Sequence, residues 1–159
     1  MCRKIIWLAA LCTAVSAASF LARAADSVQP DAAYQMPLAS AALLTDIVSV
    51  QERLVVVGER GHILFSDDAT NWTQAQVPVQ ANLTSVFFIN EERGWAVGHD
   101  ATILLTEDAG ASWQIQHFAP QTDKPLFDIY FSSPQQGIAV GAYGMFLRTE
   151  DGGKSWQPH

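Results

Sequence analysis

Three stretches that repeat at 40 to 43 residues, each with four short β segments and none with helical period, predict an all-β chain. The architecture expected is a partial β-propeller of about three four-stranded blades, an open and incomplete ring. The first stretch begins Leu44-Thr45-Asp46-Ile47-Val48 and reaches Leu54-Val55-Val56-Val57-Gly58. The second begins Leu83-Thr84-Ser85-Val86-Phe87 and reaches Gly94-Trp95-Ala96-Val97-Gly98. The third begins Leu126-Phe127-Asp128-Ile129-Tyr130 and reaches Gly137-Ile138-Ala139-Val140-Gly141. Each continues through a short turn, a further apolar segment and an acidic turn that ends in Trp72, Trp113 or Trp156.

In the second copy the segments read as strands over Leu83–Ile89, Arg93–Gly98, Thr102–Thr106 and Ser112–His117. Apolar residues follow one another in the second segment, as in Val55-Val56-Val57, which is the pattern of a strand covered on both faces. The fourth is mixed and polar and reads as the wet outer edge. A twisted twelve-stranded sandwich is the alternative, but it does not require so regular a repeat. The blades are expected at 44–81, 82–124 and 125–159, after an extended lead-in over 25–43 that contains Pro30 and Pro37. The third unit stops soon after its Trp and is expected to lack most of its outermost strand. Three units do not close a ring that usually takes ~4–8 blades. A longer protein, an assembly of several copies or a truncated product would each account for that, and open flanks invite self-association.

Apolar residues make up 49% of the 159 and charged ones only 16%, which excludes a disordered tail or a coiled coil. Arg3 and Lys4 precede an apolar run from Ile5 to Ala22, and Ala22-Arg23-Ala24 supplies a small-x-small cleavage pattern. Residues 1–24 therefore read as an export signal, and the expected location is periplasmic or like the thylakoid lumen. An uncleaved anchor is the rival reading, with a run that is short for a span. Cys2 and Cys12 both fall in this segment, so no disulfide or cysteine metal site is expected in the mature chain. Beyond residue 24, 6 basic residues face 16 acidic ones, a balance that repels phosphate backbones and argues against nucleic acid as a partner.

Thr106-Glu107-Asp108-Ala109-Gly110-Ala111-Ser112-Trp113 and Thr149-Glu150-Asp151-Gly152-Gly153-Lys154-Ser155-Trp156 both fit Ser/Thr-x-Asp-x-Gly-x-Ser/Thr-Trp. The first copy, Ser66-Asp67-Asp68-Ala69-Thr70-Asn71-Trp72, is one residue shorter and lacks the glycine. This is the Asp-box of bacterial neuraminidase repeats. Its aspartate (Asp68, Asp108, Asp151) is expected to accept N–H bonds across the turn, and its glycine (Gly110, Gly153) to take a positive φ. Its indole is expected to bury against the neighbouring blade. A carboxylate engaged in this way is a poor acid or metal ligand, so the role read here is structural.

With the export signal and the recurring Ala-Val-Gly and Glu-Asp-Gly-Gly-Lys-Ser-Trp strings, residues 44–156 resemble the photosystem II stability and assembly factor family of Asp-box propellers. The resemblance implies a non-catalytic scaffold that binds a newly made membrane subunit from the lumenal side. In bacteria without photosystems it implies an exported protein with a membrane or envelope client. Family members are longer and close a complete ring.

The turn between second and third strands is expected on the same side as the inter-blade links, commonly the binding face. It carries Arg60, His99, Asp100 and Tyr143, which are the candidate binding residues. The family uses an arginine-bearing face, for which Arg53, Arg60, Arg93 and Arg148 are available. The adjacent pair His99-Asp100 lacks a nucleophile, and His62, His117 and His159 have no zinc spacing; no catalytic residue, cofactor or metal is expected. A fragment of a sialidase or related glycosidase is the competing enzyme reading. Such an enzyme needs an arginine cluster and paired carboxylates that four scattered arginines do not supply.

Overall fold

A computed structural model describes residues 29–159; the expected signal segment 1–24 lies outside the described residues. The described chain forms three antiparallel sheets of four strands, each strand pairing with the next in sequence. The first holds β1 (Leu44–Val50), β2 (Arg53–Gly58), β3 (Ile63–Ser66) and β4 (Thr73–Gln74). The second holds β5 (Leu83–Phe88), β6 (Gly94–Gly98), β7 (Ile103–Thr106) and β8 (Gln114–His117). The third holds β9 (Leu126–Phe131), β10 (Gly137–Gly141), β11 (Phe146–Thr149) and β12 (Gln157–Pro158). This is the partial propeller that the repeats predict, all-β with three blades and an open ring. One expectation needs correction. The outermost strand of the third blade is present, with Pro158 opposite Leu147 and Gln157 opposite Arg148, and it is as long as β4.

Side-chain alternation with both faces covered explains the unbroken apolar runs. On β6 and β7, Ala96 and Leu104 turn to the first sheet and pack with Val55, Val57, Ile63, Leu83 and Trp113. Their neighbours Trp95, Val97, Ile103 and Leu105 turn to the third sheet and pack with Leu126, Ile129, Phe131, Ala139 and Trp156. Trp95 stacks on Phe131 with ring centroids 3.5 Å apart and planes 10° apart. The far face of the first sheet is covered by the lead-in, where Val56 and Leu64 meet Ala39 and the half-buried Trp72. The far face of the third sheet is open: Phe127 is 53% exposed and Tyr130 55%.

Each innermost strand carries a register shift against the second strand, at Leu44/Asp46, Leu83/Ser85 and opposite Val140/Gly141. The residue that the shift skips is a rivet in the first two blades. Thr45 Oγ1 donates toward the carbonyls of Val57 (3.1 Å) in its own sheet and Leu83 (2.8 Å) in the next. Thr84 Oγ1 repeats this toward Val97 (3.1 Å) and Leu126 (2.7 Å). In the third blade the equivalent residue is Phe127, which has no hydroxyl. Gly98 closes the same corner. A Cβ there would sit 2.1 Å from the carbonyl oxygen of Asn82, so the link can cross this strand end only over a glycine. Gly58 and Gly141 stand in the same relation to Leu43 and Pro125.

The indoles of Trp113 and Trp156 wedge between their own blade and the preceding one, 4% and 8% exposed. Trp72 is the exception: among the described residues it packs against the lead-in and its own sheet, with Ala39, Val56 and Leu64. Replacing Trp113 by Ala is expected to lower stability by about 3–5 kcal/mol, the range for a buried aromatic. Trp72→Ala should cost clearly less. Urea unfolding followed by circular dichroism measures both.

Candidate functional site

The turns between second and third strands are tight hairpins of one kind. In the first, the N–H of His62 donates to the carbonyl of Glu59 (2.9 Å), and both central residues have positive φ, Arg60 at 56° and Gly61 at 72°. Asp100 (59°) with Ala101 (49°), and Tyr143 (55°) with Gly144 (71°), repeat that geometry, the type I′ turn that suits right-twisted strands. Each turn is tied to the link entering its own blade. The N–H groups of Glu59, His99 and Ala142 donate to the carbonyls of Leu43, Asn82 and Pro125 at 2.8–3.0 Å. The turns therefore share the side of the molecule that carries the links. Tyr143 is 82% exposed, His99 and Arg60 are exposed, and Asp100 is half-buried. No hydrogen bond joins these side chains to one another among the described residues; they occupy equivalent tips of three consecutive blades and not one pocket.

The Asp-boxes are closed hydrogen-bond networks. Asp108 accepts from Thr106 Oγ1 (2.8 Å), Ser112 N (2.9 Å) and Ser112 Oγ (2.5 Å), and Gly110 N donates to Thr106 Oγ1 (3.0 Å). Asp151 repeats the set with Thr149 and Ser155. Gly110 and Gly153 have φ of 87°, and the residue before each, Ala109 or Gly152, is also left-handed. In the short first copy Asp68 accepts from the N–H groups of Thr70 and Asn71 and from the Asn71 amide. Burial pushes the Asp108 carboxyl up, but the bonds from Ser112 and Thr106 outweigh it and leave it below the usual range. The Ser155 hydroxyl and N–H hold Asp151 at about 2. The backbone N–H of Asn71, followed by its amide, holds Asp68 lower still. All three are ionised anchors at neutral pH, without a proton to give.

Two of the four arginines available to a binding face, Arg53 and Arg93, instead join neighbouring blades. Arg53 lies over the Phe65 ring at 4.7 Å, pairs with Asp67 at 2.6 Å and donates to the carbonyl of Ala109 in the next Asp-box (3.4 Å). Arg93 lies over Trp95 at 5.2 Å and donates to the carbonyl of Gly152, the equivalent atom one blade on (3.2 Å). The signal was present: an arginine opens the second strand in the first two repeats, and Gln136 replaces it in the third. Arg148 pairs with Glu150 at 2.5 Å. Arg60 alone of the four keeps a guanidinium without a hydrogen bond or ion pair among the described residues.

Arg60 also lines a cavity of about 300 Å³ with Tyr34, Met36, His62 and Gln80, between the lead-in and the first sheet. Sequence reasoning placed His62 in a strand and did not see this cavity, because lead-in and turn are brought together only by the fold. A cavity of about 380 Å³ beside the third Asp-box is lined by Arg148, Asp151 and the chain's last residues. Among the described residues no group of three or more His, Cys, Asp or Glu could hold a metal ion.

These blades, with their boxed turns and indole wedges, define an Asp-box β-propeller segment. Residues 64–123 match the family model described as photosynthesis system II assembly factor YCF48. Over that stretch the chain is similar to photosystem II assembly factors. It is 36% identical over 47 residues to the photosystem II assembly protein Ycf48 of Thermosynechococcus vestitus, 30% of this chain and 14% of that protein. It is 37% identical over 54 residues to the chloroplastic stability/assembly factor HCF136 of Guillardia theta, 33% of this chain and 14% of that one. A solved structure titled YCF48 bound to D1 peptide superposes with TM-score 0.64 at 23% identity, over 82% of this chain and 46% of the other. YCF48 from Cyanidioschyzon merolae gives 0.61 at 22% identity, over 74% and 39%. The chain thus spans less than half the length of these solved structures.

The anchored carboxylates give a pH dependence with a fixed sign. The folded state holds Asp151 at about 2 against an ordinary 3.8, so the stability it contributes is complete above about pH 4 and is lost as pH falls toward 2. Asp151→Asn should flatten the fall of thermal midpoint between pH 4 and 2, which scanning calorimetry across that window measures.

Proposed function

We propose that this chain is an exported, non-catalytic scaffold module that holds an extended peptide of a membrane or envelope protein while that client is assembled. The observation that carries the reading is the register of the three type I′ tips. Arg60, His99 with Asp100, and Tyr143 stand on consecutive blades, on one side, each on a backbone fixed by its link. Rigid strands with variable tips are the usual arrangement for recognition. Support comes from relatives named as assembly factors and from the YCF48 structure that holds a D1 peptide. Relatives named as lipoproteins or chloroplastic factors favour an exported location.

The glycosidase reading has less to work with. Arg53, Arg93 and Arg148 are engaged within the fold, and the box aspartates are locked as acceptors. Fluorescence anisotropy with a labelled D1 peptide, and with overlapping peptides from envelope proteins, tests the scaffold reading. Saturable binding that Tyr143→Asn weakens about tenfold is expected, about 1.4 kcal/mol. Asn tolerates the left-handed backbone, so the tip keeps its shape. Binding untouched by Tyr143→Asn would remove the tips from the reading, and turnover of a fluorogenic sialoside would replace it.

Self-association through the open face of the third sheet belongs to the same proposal, since Phe127, Tyr130 and Val140 are exposed there together. Sedimentation velocity should show concentration-dependent dimers. A compact monomer at all concentrations would contradict it.

A further inference from the structure

The cavity beside the lead-in is lined by two polar side chains, of Arg60 and His62, that make no hydrogen bond among the described residues. His62 is 3% exposed and its Nδ1 has no hydrogen-bond partner. A buried polar atom left this way is costly unless something else satisfies it. Arg60, on the tip two residues earlier, brings a free guanidinium to the same cavity. Opposite them the lead-in is held in place by glutamine side chains. Gln74 donates from Nε2 to the carbonyl of Tyr34 and accepts the N–H of Met36 at Oε1, both at 2.8 Å. Gln35 donates to the carbonyl of Ala75 (3.0 Å), Gln80 to that of Ala32 (3.1 Å), and Ala33 N to that of Val77 (2.9 Å). With this backbone fixed, Tyr34 and Met36 stay on the cavity wall while 70% and 44% exposed.

We propose that this cavity binds the carboxylate of a small apolar acid. Arg60 offers two parallel N–H donors to the carboxylate, the geometry at which a guanidinium is strongest. His62, in the same lining, offers one more N–H from its other ring nitrogen, Nε2, since Nδ1 is enclosed. Tyr34 and Met36 cover the apolar body. One cation and one neutral donor match a singly charged carboxylate and not a doubly charged phosphate. The volume, about 300 Å³, lies at the lower end for small-molecule sites. The acid is either free or the C-terminus of a peptide with an apolar last residue, the same chemistry from two sources. The site stands apart from the peptide face proposed above: Arg60 is common to both, His62 belongs to the cavity alone and Tyr143 to the tips alone.

Isothermal titration of the full chain with phenylacetate, with phenylacetamide, and with acetyl-Gly-Gly-Leu as free acid and as amide tests the proposal. Both acids should bind saturably and neither amide should. Arg60→Asn and His62→Asn should each weaken the acids at least tenfold, while Tyr143→Asn leaves them unchanged. Arg60 is exposed, so its variant keeps the test open even where the His62 variant fails to fold. A peptide acid tenfold tighter than phenylacetate assigns the site to chain ends, and equal affinities assign it to free acids. Absence of saturable binding by either acid, amides that bind as well as acids, or an Arg60→Asn variant with unchanged affinity would overturn it.

Discussion

A sheet whose middle strands are apolar on both faces needs a neighbour on each side, and the rest of this molecule follows from that need. β6 illustrates it, since Trp95 and Val97 serve one interface while Ala96, between them, serves the other. Burial supplies the attraction but no fixed angle. Direction comes from a small set of bonds that cross each seam: a threonine hydroxyl near the axis, an arginine farther out, and the boxed turn with its indole at the rim. At the first seam the turn also pairs main chain to main chain, with Trp113 N donating to the carbonyl of Gln76 (3.1 Å) and Gln76 N to that of Ala111 (3.2 Å).

The acidic motifs that would first attract an enzymologist are therefore part of the frame. Each box aspartate spends its oxygens on its own turn, and the charge it keeps at neutral pH is what those N–H and O–H groups require. Variation is left to positions that the frame does not use, namely the tips and the wall of the lead-in. Tyr143 and Arg60 occupy the same backbone position with unlike side chains, as expected where geometry is held constant and chemistry is free to differ.

Much of the fold was legible because it is written three times. The spacing of Gly58, Gly98 and Gly141 marks the corner where a link crosses a strand end, and any Cβ there would collide with a carbonyl. The boxes were legible because their bonds are local. Less visible was whatever depends on contact between repeats. Arg53 and Arg93 look like spare surface cations until the next blade is in place. His62 looks like an ordinary strand residue until the lead-in folds over it. Trp72 shows the reverse error: its motif promises the same wedge as Trp113, but the neighbour is a short segment and its ring stays half-buried. The outer strand of the third blade was under-read because Gln157 and Pro158 complete it with a single pair of residues.

The last seam-facing surface differs from the others in kind. Where earlier blades present Thr45 and Thr84, the third presents Phe127, and where they present Arg53 and Arg93 it presents Gln136. A sheet that met this surface would find grease without bolts. Apolar contact would hold it, yet little would dictate its tilt, so the joint there would slide more easily than the two before it.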